Sequence, residues 1–258
     1  MLSPHTDASL FFTAILLSVI VAACAFLLNW STLDSMMAIV VTGSVTLGFA
    51  GWSMAMALFF FFASSSVLSS MNNVNREGAV TAGNKFTRRD GFQVWSNGFW
   101  AVIFVLLWVT FNSEPFLIAA FASLAVATGD TWATELGIRK GGVTVDILSR
   151  EIVEPGIDGG VSKYGTIAAL IGSVSIALFT IPVGFDTSSV MIILTVSAAG
   201  FAGVIIDSLL GSIYLSKVMK FPFFGTSLLK AANGKNNLTN WLATGTGAII
   251  ALIIHTIF

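Results

Sequence analysis

The chain has 258 residues, of which 55% are apolar and only 10% charged, with a formal net charge of −1. Its mean hydropathy is +0.89. A water-soluble domain carries roughly 25% charged residues, so this chain lacks the surface to coat a soluble core, and lipid must cover most of its outside. The single cysteine, Cys24, excludes an internal disulfide.

In chain order, Met1 to Ser9 has no basic segment, and no small-residue cleavage site follows the first apolar run, so no cleavable leader is expected. A helix needs about 20 apolar residues to cross the hydrocarbon core. Segments 9–28, 36–50, 52–70, 93–111, 115–134, 164–183, 188–210 and 238–257 meet or approach that length. The expected fold is all-α, a polytopic membrane bundle of eight spans forming one domain over residues 1–258. The second span is short, and the run Gly48-Phe49-Ala50-Gly51-Trp52 predicts a tight turn. A mere kink there would leave seven spans and move the N-terminus to the other side. The Phe59–Phe62 run reads as lipid-facing or core, and Cys24 as packed within the first span.

Three long polar loops remain, 71–92, 135–163 and 211–237. They hold Arg76, Lys85, Arg88 and Arg89, then Arg139, Lys140, Arg150 and Lys163, then Lys217, Lys220, Lys230 and Lys235, the whole complement of 12 basic residues. Successive loops are separated by two spans, so all three emerge on one face. The positive-inside rule makes that face cytoplasmic. In a prokaryote the membrane would be the inner one, with both termini outside. The basic residues are thus explained by topology, and nucleic-acid binding is not expected.

Ionisable groups within spans are costly and point to function. They gather at the ends nearest these loops. Arg89, Gln93 and Asn97 are four apart and form one polar stripe, beside Arg88. Asp130 and Thr134 lie one turn apart with Glu135 next to them, and carboxylates beside small residues suit Mg²⁺. Asp207 sits between Gly203 and Gly211 on one face. Asn236, Asn240 and Thr244 stack in the last span. Between spans, Glu154-Pro155-Gly156-Ile157-Asp158-Gly159-Gly160-Val161-Ser162-Lys163 has the ingredients of a phosphate cradle, glycines ahead of a helix start. Acids for a metal and cations for phosphate are the parts of phosphoryl or nucleotidyl transfer. Apolar helices around them suit a lipid tail.

The same stretches resemble a membrane family known as domain of unknown function 92, which includes the plant phytyl-phosphate kinase and the transmembrane protein 19 group. The resemblance rests on Arg88-Arg89-Asp90 with Gln93-Val94 and Asn97-Gly98, and on Asp130-Thr131-Trp132-Ala133-Thr134-Glu135-Leu136-Gly137. It continues in Pro155 to Ser162 with Gly165-Thr166, in Asp207-Ser208-Leu209-Leu210-Gly211, and in Asn240. These blocks stand in family order over residues 85–245, while the first 80 residues match only in hydropathy. The resemblance implies a kinase that converts an isoprenoid monophosphate to its diphosphate, with CTP or another nucleoside triphosphate as donor, and kinship with dolichol kinase and the CDP-lipid synthases. A CDP-lipid-forming cytidylyltransferase is the alternative, although the signature of phosphatidate cytidylyltransferase is not found. A transporter of a lipid phosphate or other anion is a third reading, disfavoured because polarity clusters at one surface rather than through the full depth.

For phosphoryl transfer the resemblance implies that Asp130 and Asp207 hold Mg²⁺, with Glu135 a candidate third ligand. Lys85, Arg88 and Arg89 would bind phosphates. Gly159, Gly160 and Ser162 would cradle one phosphate with Lys163 adjacent, and Gln93, Asn97 and Asn240 would orient ligands. The nucleophile is then a phosphate oxygen already largely ionised at neutral pH, since the second phosphate pKa lies near 6. The obstacle is repulsion between polyanions, about 4 kcal/mol for two unit charges at roughly 4 Å and an effective dielectric near 20.

Overall fold

A computed structural model describes residues 7–77, 88–140, 142–215 and 234–257. Its helices are α1 (Ala8–Leu27), α2 (Leu33–Glu77), α3 (Gly91–Phe111), α4 (Glu114–Lys140), α5 (Lys163–Ala177), α6 (Ser189–Leu215) and α7 (Gly234–Ile257), with a 3₁₀ turn, Leu178–Val183, extending α5. Among the described residues, seven helical runs are long and apolar enough to cross a membrane.

Those seven runs make eight crossings, because α2 doubles back. Gly51 leaves the helical region at φ 74°, ψ −169°, a conformation essentially reserved for glycine. Arg89 is tied to the start of α2: its amide donates to the Trp30 carbonyl, and its carbonyl accepts from the Thr32 amide, both at 3.0 Å. Yet the Arg89 guanidinium carbon lies 5.7 Å from the Phe61 ring centroid, and the Trp30 and Phe62 rings are 6.5 Å apart. An uninterrupted helix would carry Phe61 about 42 Å from Leu33 at 1.5 Å per residue. The chain instead reverses at Gly51, with one leg over 33–50 and a second over 52–77.

Capping sets three of the helix starts. The Asp7, Asp90 and Ser162 side chains accept from the amides of Ser9, Gln93 and Gly165, satisfying donors that a first turn leaves unpaired. Helix α3 ends on Asn112 in the left-handed region, φ 48°. The two short connections meet at one end of the bundle, where the Glu114 carboxylate accepts from the Asp186 amide at 3.2 Å. Helix α4 forms the axis, and every residue from Leu117 to Gly129 is buried. Its alanines and Gly129 allow close approach: a Cβ on Gly172 of α5 would lie 3.0 Å from the Gly129 Cα.

One side-chain expectation changes, and another is met. Cys24 is exposed on the outer face of α1 rather than packed inside. Of the phenylalanine run, Phe61 and Phe62 are buried and Phe59 faces outward. The loop between α4 and α5 also holds structure that an all-α reading omits. Strands β1 (Thr144–Asp146), β2 (Ile152–Val153) and β3 (Gly160–Ser162) form a small antiparallel sheet in the order β2-β1-β3. Thr144 pairs with Val153 on one side and Ser162 on the other.

Candidate functional site

The sheet is pinned to α6, and that pinning builds the site. Asp146 Oδ1 accepts from the amides of Leu148 (3.0 Å) and Ser149 (2.7 Å) and from Ser212 Oγ (2.8 Å) of α6. Burial pushes this carboxyl up, but the donors from Ser149, Ser212 and Leu148 together hold it below the usual 3.8. Beside it, Gly159 (φ 85°) lies flat against α6. A Cβ on Gly159 would sit 2.6 Å from the Ser212 nitrogen, and one on Gly211 would sit 2.7 Å from the Gly159 nitrogen. Neither site has room for a side chain, and this contact brings the preceding residue, Asp158, over α6.

Three carboxylates converge there. Asp130 of α4 and Asp207 of α6 are hydrogen-bonded to each other, and Asp158 interacts electrostatically with both. They line a cavity of about 600 Å³ closed by α4, α5, α6, the sheet and the start of α7. Thr134, Ser162, Thr166, Ser208 and Asn236 add polar groups to its wall. Helix α7 supports Asp207 from behind. The Thr239 hydroxyl bonds it, and the Asn240 amide nitrogen, in the orientation that satisfies its neighbours, donates to Asp207 Oδ1 at 3.2 Å and to the Asn236 carbonyl at 3.0 Å.

Other residues singled out in the sequence lie elsewhere. Glu135 does not join the aspartates. Five residues on from Asp130, it is turned about 140° around α4 at 100° per residue, and it accepts from Ser69 Oγ of α2 at 2.5 Å. Arg88 bonds Asn29 Oδ1 and lies over the Phe26 ring, so it serves the end of α1. Arg89 is buried against Phe61. Burial lowers its pKa to about 10 while the charge of Glu135 opposes the drop, and it stays protonated at neutral pH. Asn97 Nδ2 donates to the Gln93 carbonyl at 2.9 Å, and both residues lie on α3, away from the wall of the acidic cavity. Lys163 is exposed at the first position of α5. Lys85 falls outside the described residues.

The glycine turn acts differently from a phosphate cradle. The Gly160 amide is taken by the Ile157 carbonyl at 2.9 Å, the Gly159 carbonyl accepts from the Ile147 amide, and Ser162 Oγ caps α5. At the N-terminus of α5, Gly165 and Thr166 face the cavity, with the Gly165 amide already taken by Ser162 Oγ at 3.1 Å. The residue that sequence reasoning left out is Asp158. Its signal was an acid directly before a paired glycine in a loop facing two other acids.

A family model described as "Integral membrane protein DUF92" matches residues 16–255. The chain belongs to the DUF92 family. Among curated DUF92-like relatives, membrane protein MJ0933 of Methanocaldococcus jannaschii is 30% identical over 215 residues, covering 83% of this chain and 82% of the relative. Membrane protein sll0875 of Synechocystis sp. is 26% identical over 213 residues, covering 81% and 75%. Protein PGR of Arabidopsis thaliana is 26% identical over 186 residues, covering 63% and 65%. No solved structure matches. The DUF92 match runs through both legs of α2, the carboxylates and α7, so the fold and the cavity lie within the family's extent.

Proposed function

We propose that this DUF92 protein is a membrane-embedded, Mg²⁺-dependent phosphotransferase that converts an isoprenoid monophosphate to its diphosphate, with a nucleoside triphosphate, CTP by the family resemblance, as donor. The observation that carries the reading is the meeting of Asp130, Asp158 and Asp207 in a polar cavity at one end of an apolar bundle. A lone acid at the centre of a membrane helix costs about 3 kcal/mol, and three acids facing one cavity call for a cation.

Among the described residues no three acids, histidines or cysteines form a ready-made metal cage. The hydrogen-bonded pair of Asp130 and Asp207 with one acid nearby fits a metal that takes one or two carboxylates and completes its shell with water and substrate phosphates, which is the habit of Mg²⁺. When bound, that ion would neutralise and align the donor phosphates.

The protein's own groups then bind and orient. Asn240 and Thr239 hold Asp207 in place, so its carboxylate needs little reorganisation. The positive dipole end of α5, at Gly165 and Thr166, would face a donor phosphate from the side of the acids. A lipid phosphate oxygen attacks the terminal phosphorus. The bond from that phosphorus to its bridging oxygen breaks, and the nucleoside diphosphate leaves with the electron pair. No strong base is required, so the work is charge neutralisation and alignment.

The positive-inside rule places the cavity on the cytoplasmic side. A transport reading gains nothing from the break in α2, because Gly51 reverses the chain between two spans rather than opening a helix at mid-membrane.

The test is turnover with labelled nucleotide and short prenyl phosphates. The expected products are a lipid diphosphate and a nucleoside diphosphate, and Asp207→Asn should abolish them while the protein stays folded in detergent. Near-normal product from that variant would remove the metal role, and pyrophosphate with a CDP-lipid would reassign the reaction to nucleotidyl transfer.

A further inference from the structure

A second cavity, of about 280 Å³, lies between α1, both legs of α2 and α3, apart from the carboxylates. Its lining is apolar apart from Arg89, Asn97 and a few hydroxyls, and Trp52 and Phe59 on its rim are exposed to the bilayer. The second leg of α2 lines it from Trp52 to Phe62, about 15 Å at 1.5 Å per residue. At roughly 30 Å³ for each water-sized group, it accepts about nine carbon centres, with further chain running out between Trp52 and Phe59 into lipid.

One end of this groove carries a buried cation. Arg89 is 7% exposed. Its guanidinium lies over the Phe61 ring and feels the attraction of Glu135. On the same wall Asn97 is 2% exposed, and its Oδ1 has no partner. A guanidinium fork matches a phosphate, and the amide oxygen matches the O–H of a singly protonated one. Helix α7 links this groove to the carboxylates: Thr244 Oγ1 donates to the Ser96 carbonyl at 3.3 Å, and Asn240 reaches Asp207.

We propose that this groove is the resting site of the lipid monophosphate, with its chain along α2 and its phosphate on Arg89; transfer then requires the phosphate to leave Arg89 for the acidic cavity, where the nucleotide binds. The identity of the lipid as acceptor rests on the phosphotransfer reading, but the binding does not require turnover. It explains why the acidic cavity has no lysine or arginine among its described lining residues: the two polyanions are held by different groups, a cation for the lipid and carboxylates with a metal for the donor.

The test is binding of farnesyl monophosphate to the full-length purified chain in detergent, with farnesol and inorganic phosphate as the tail-only and head-only probes. Arg89→Gln should weaken binding tenfold or more. Ala55→Phe, which fills the groove without touching either charge, should weaken it similarly, and both probes should bind poorly to the unaltered protein. If Arg89→Gln does not fold, Arg89→Lys keeps the charge, loses the fork and should cost about threefold. Unchanged affinity in either the Arg89 or the Ala55 variant overturns the proposal, as does inorganic phosphate binding as tightly as the lipid. Absence of turnover with lipid binding still sensitive to both substitutions would reject the phosphotransfer reading and leave the groove standing.

Discussion

Asp207 is held by α7 through Thr239 and Asn240 and meets Asp130 across the cavity, whereas Asp158 depends on a turn. The two should therefore fail differently. Asp158→Asn should lower turnover about tenfold and raise the Mg²⁺ concentration needed for half-maximal rate, as read from a metal titration. Asn240→Ala should weaken turnover less, because it frees Asp207 without removing it.

Asp146 is a structural acid, and its pH behaviour has a definite sign. Its carboxyl is held below 3.8 in the folded chain, so its contribution is fully present above that value and is lost as pH falls through the lowered one. Hydrogen-exchange protection factors across Thr144 to Val153 should be unchanged from neutral pH to about 5 and should fall only in stronger acid. Loosening already at pH 6 would contradict the bonds from Leu148, Ser149 and Ser212.

At the level of elements, two glycine contacts govern the architecture. Gly51 adopts φ 74°, ψ −169°, and alanine there would cost about 1–3 kcal/mol of strain. Gly51→Ala should lower the midpoint of thermal unfolding in detergent, because it opposes the reversal between the two legs of α2. Gly159→Ala meets the Ser212 backbone at 2.6 Å and should lift the sheet off α6. The expected result is a strong loss of turnover with little change in helix content, measured by circular dichroism beside the activity assay. A fully active Gly159→Ala protein would show that Asp158 is not placed by this contact.

For the whole molecule the decisive quantity is parity. Eight crossings put both ends of the bundle on the side of Glu114 and Asp186, opposite the sheet. In a Cys24→Ser background, an impermeant thiol reagent should label Ser113→Cys and Ser149→Cys from opposite sides of the membrane. A tag on the N-terminus should report the same side as Ser113→Cys. Finding that tag with Ser149→Cys would mean an odd number of crossings.

The sequence alone determined the membrane class and the positions of the spans, and it gathered the lysines and arginines into the loops of one face. These depend on the lengths of apolar runs and on where lysine and arginine stand, quantities local to the chain. It also marked the Gly48–Trp52 turn, because glycine tolerates what other residues do not, and it marked Asp130 and Asp207 as acids where lipid makes acids costly. Tertiary structure decided which polar residues share a cavity. Asp130 and Glu135 are near neighbours in sequence yet face different partners, since the turn of a helix separates them, whereas Asp158 reaches Asp207 from 49 residues away because two glycines let backbone touch backbone. The division of Arg89 from the aspartates into two cavities likewise follows from packing around α4, which no spacing rule along a single helix contains.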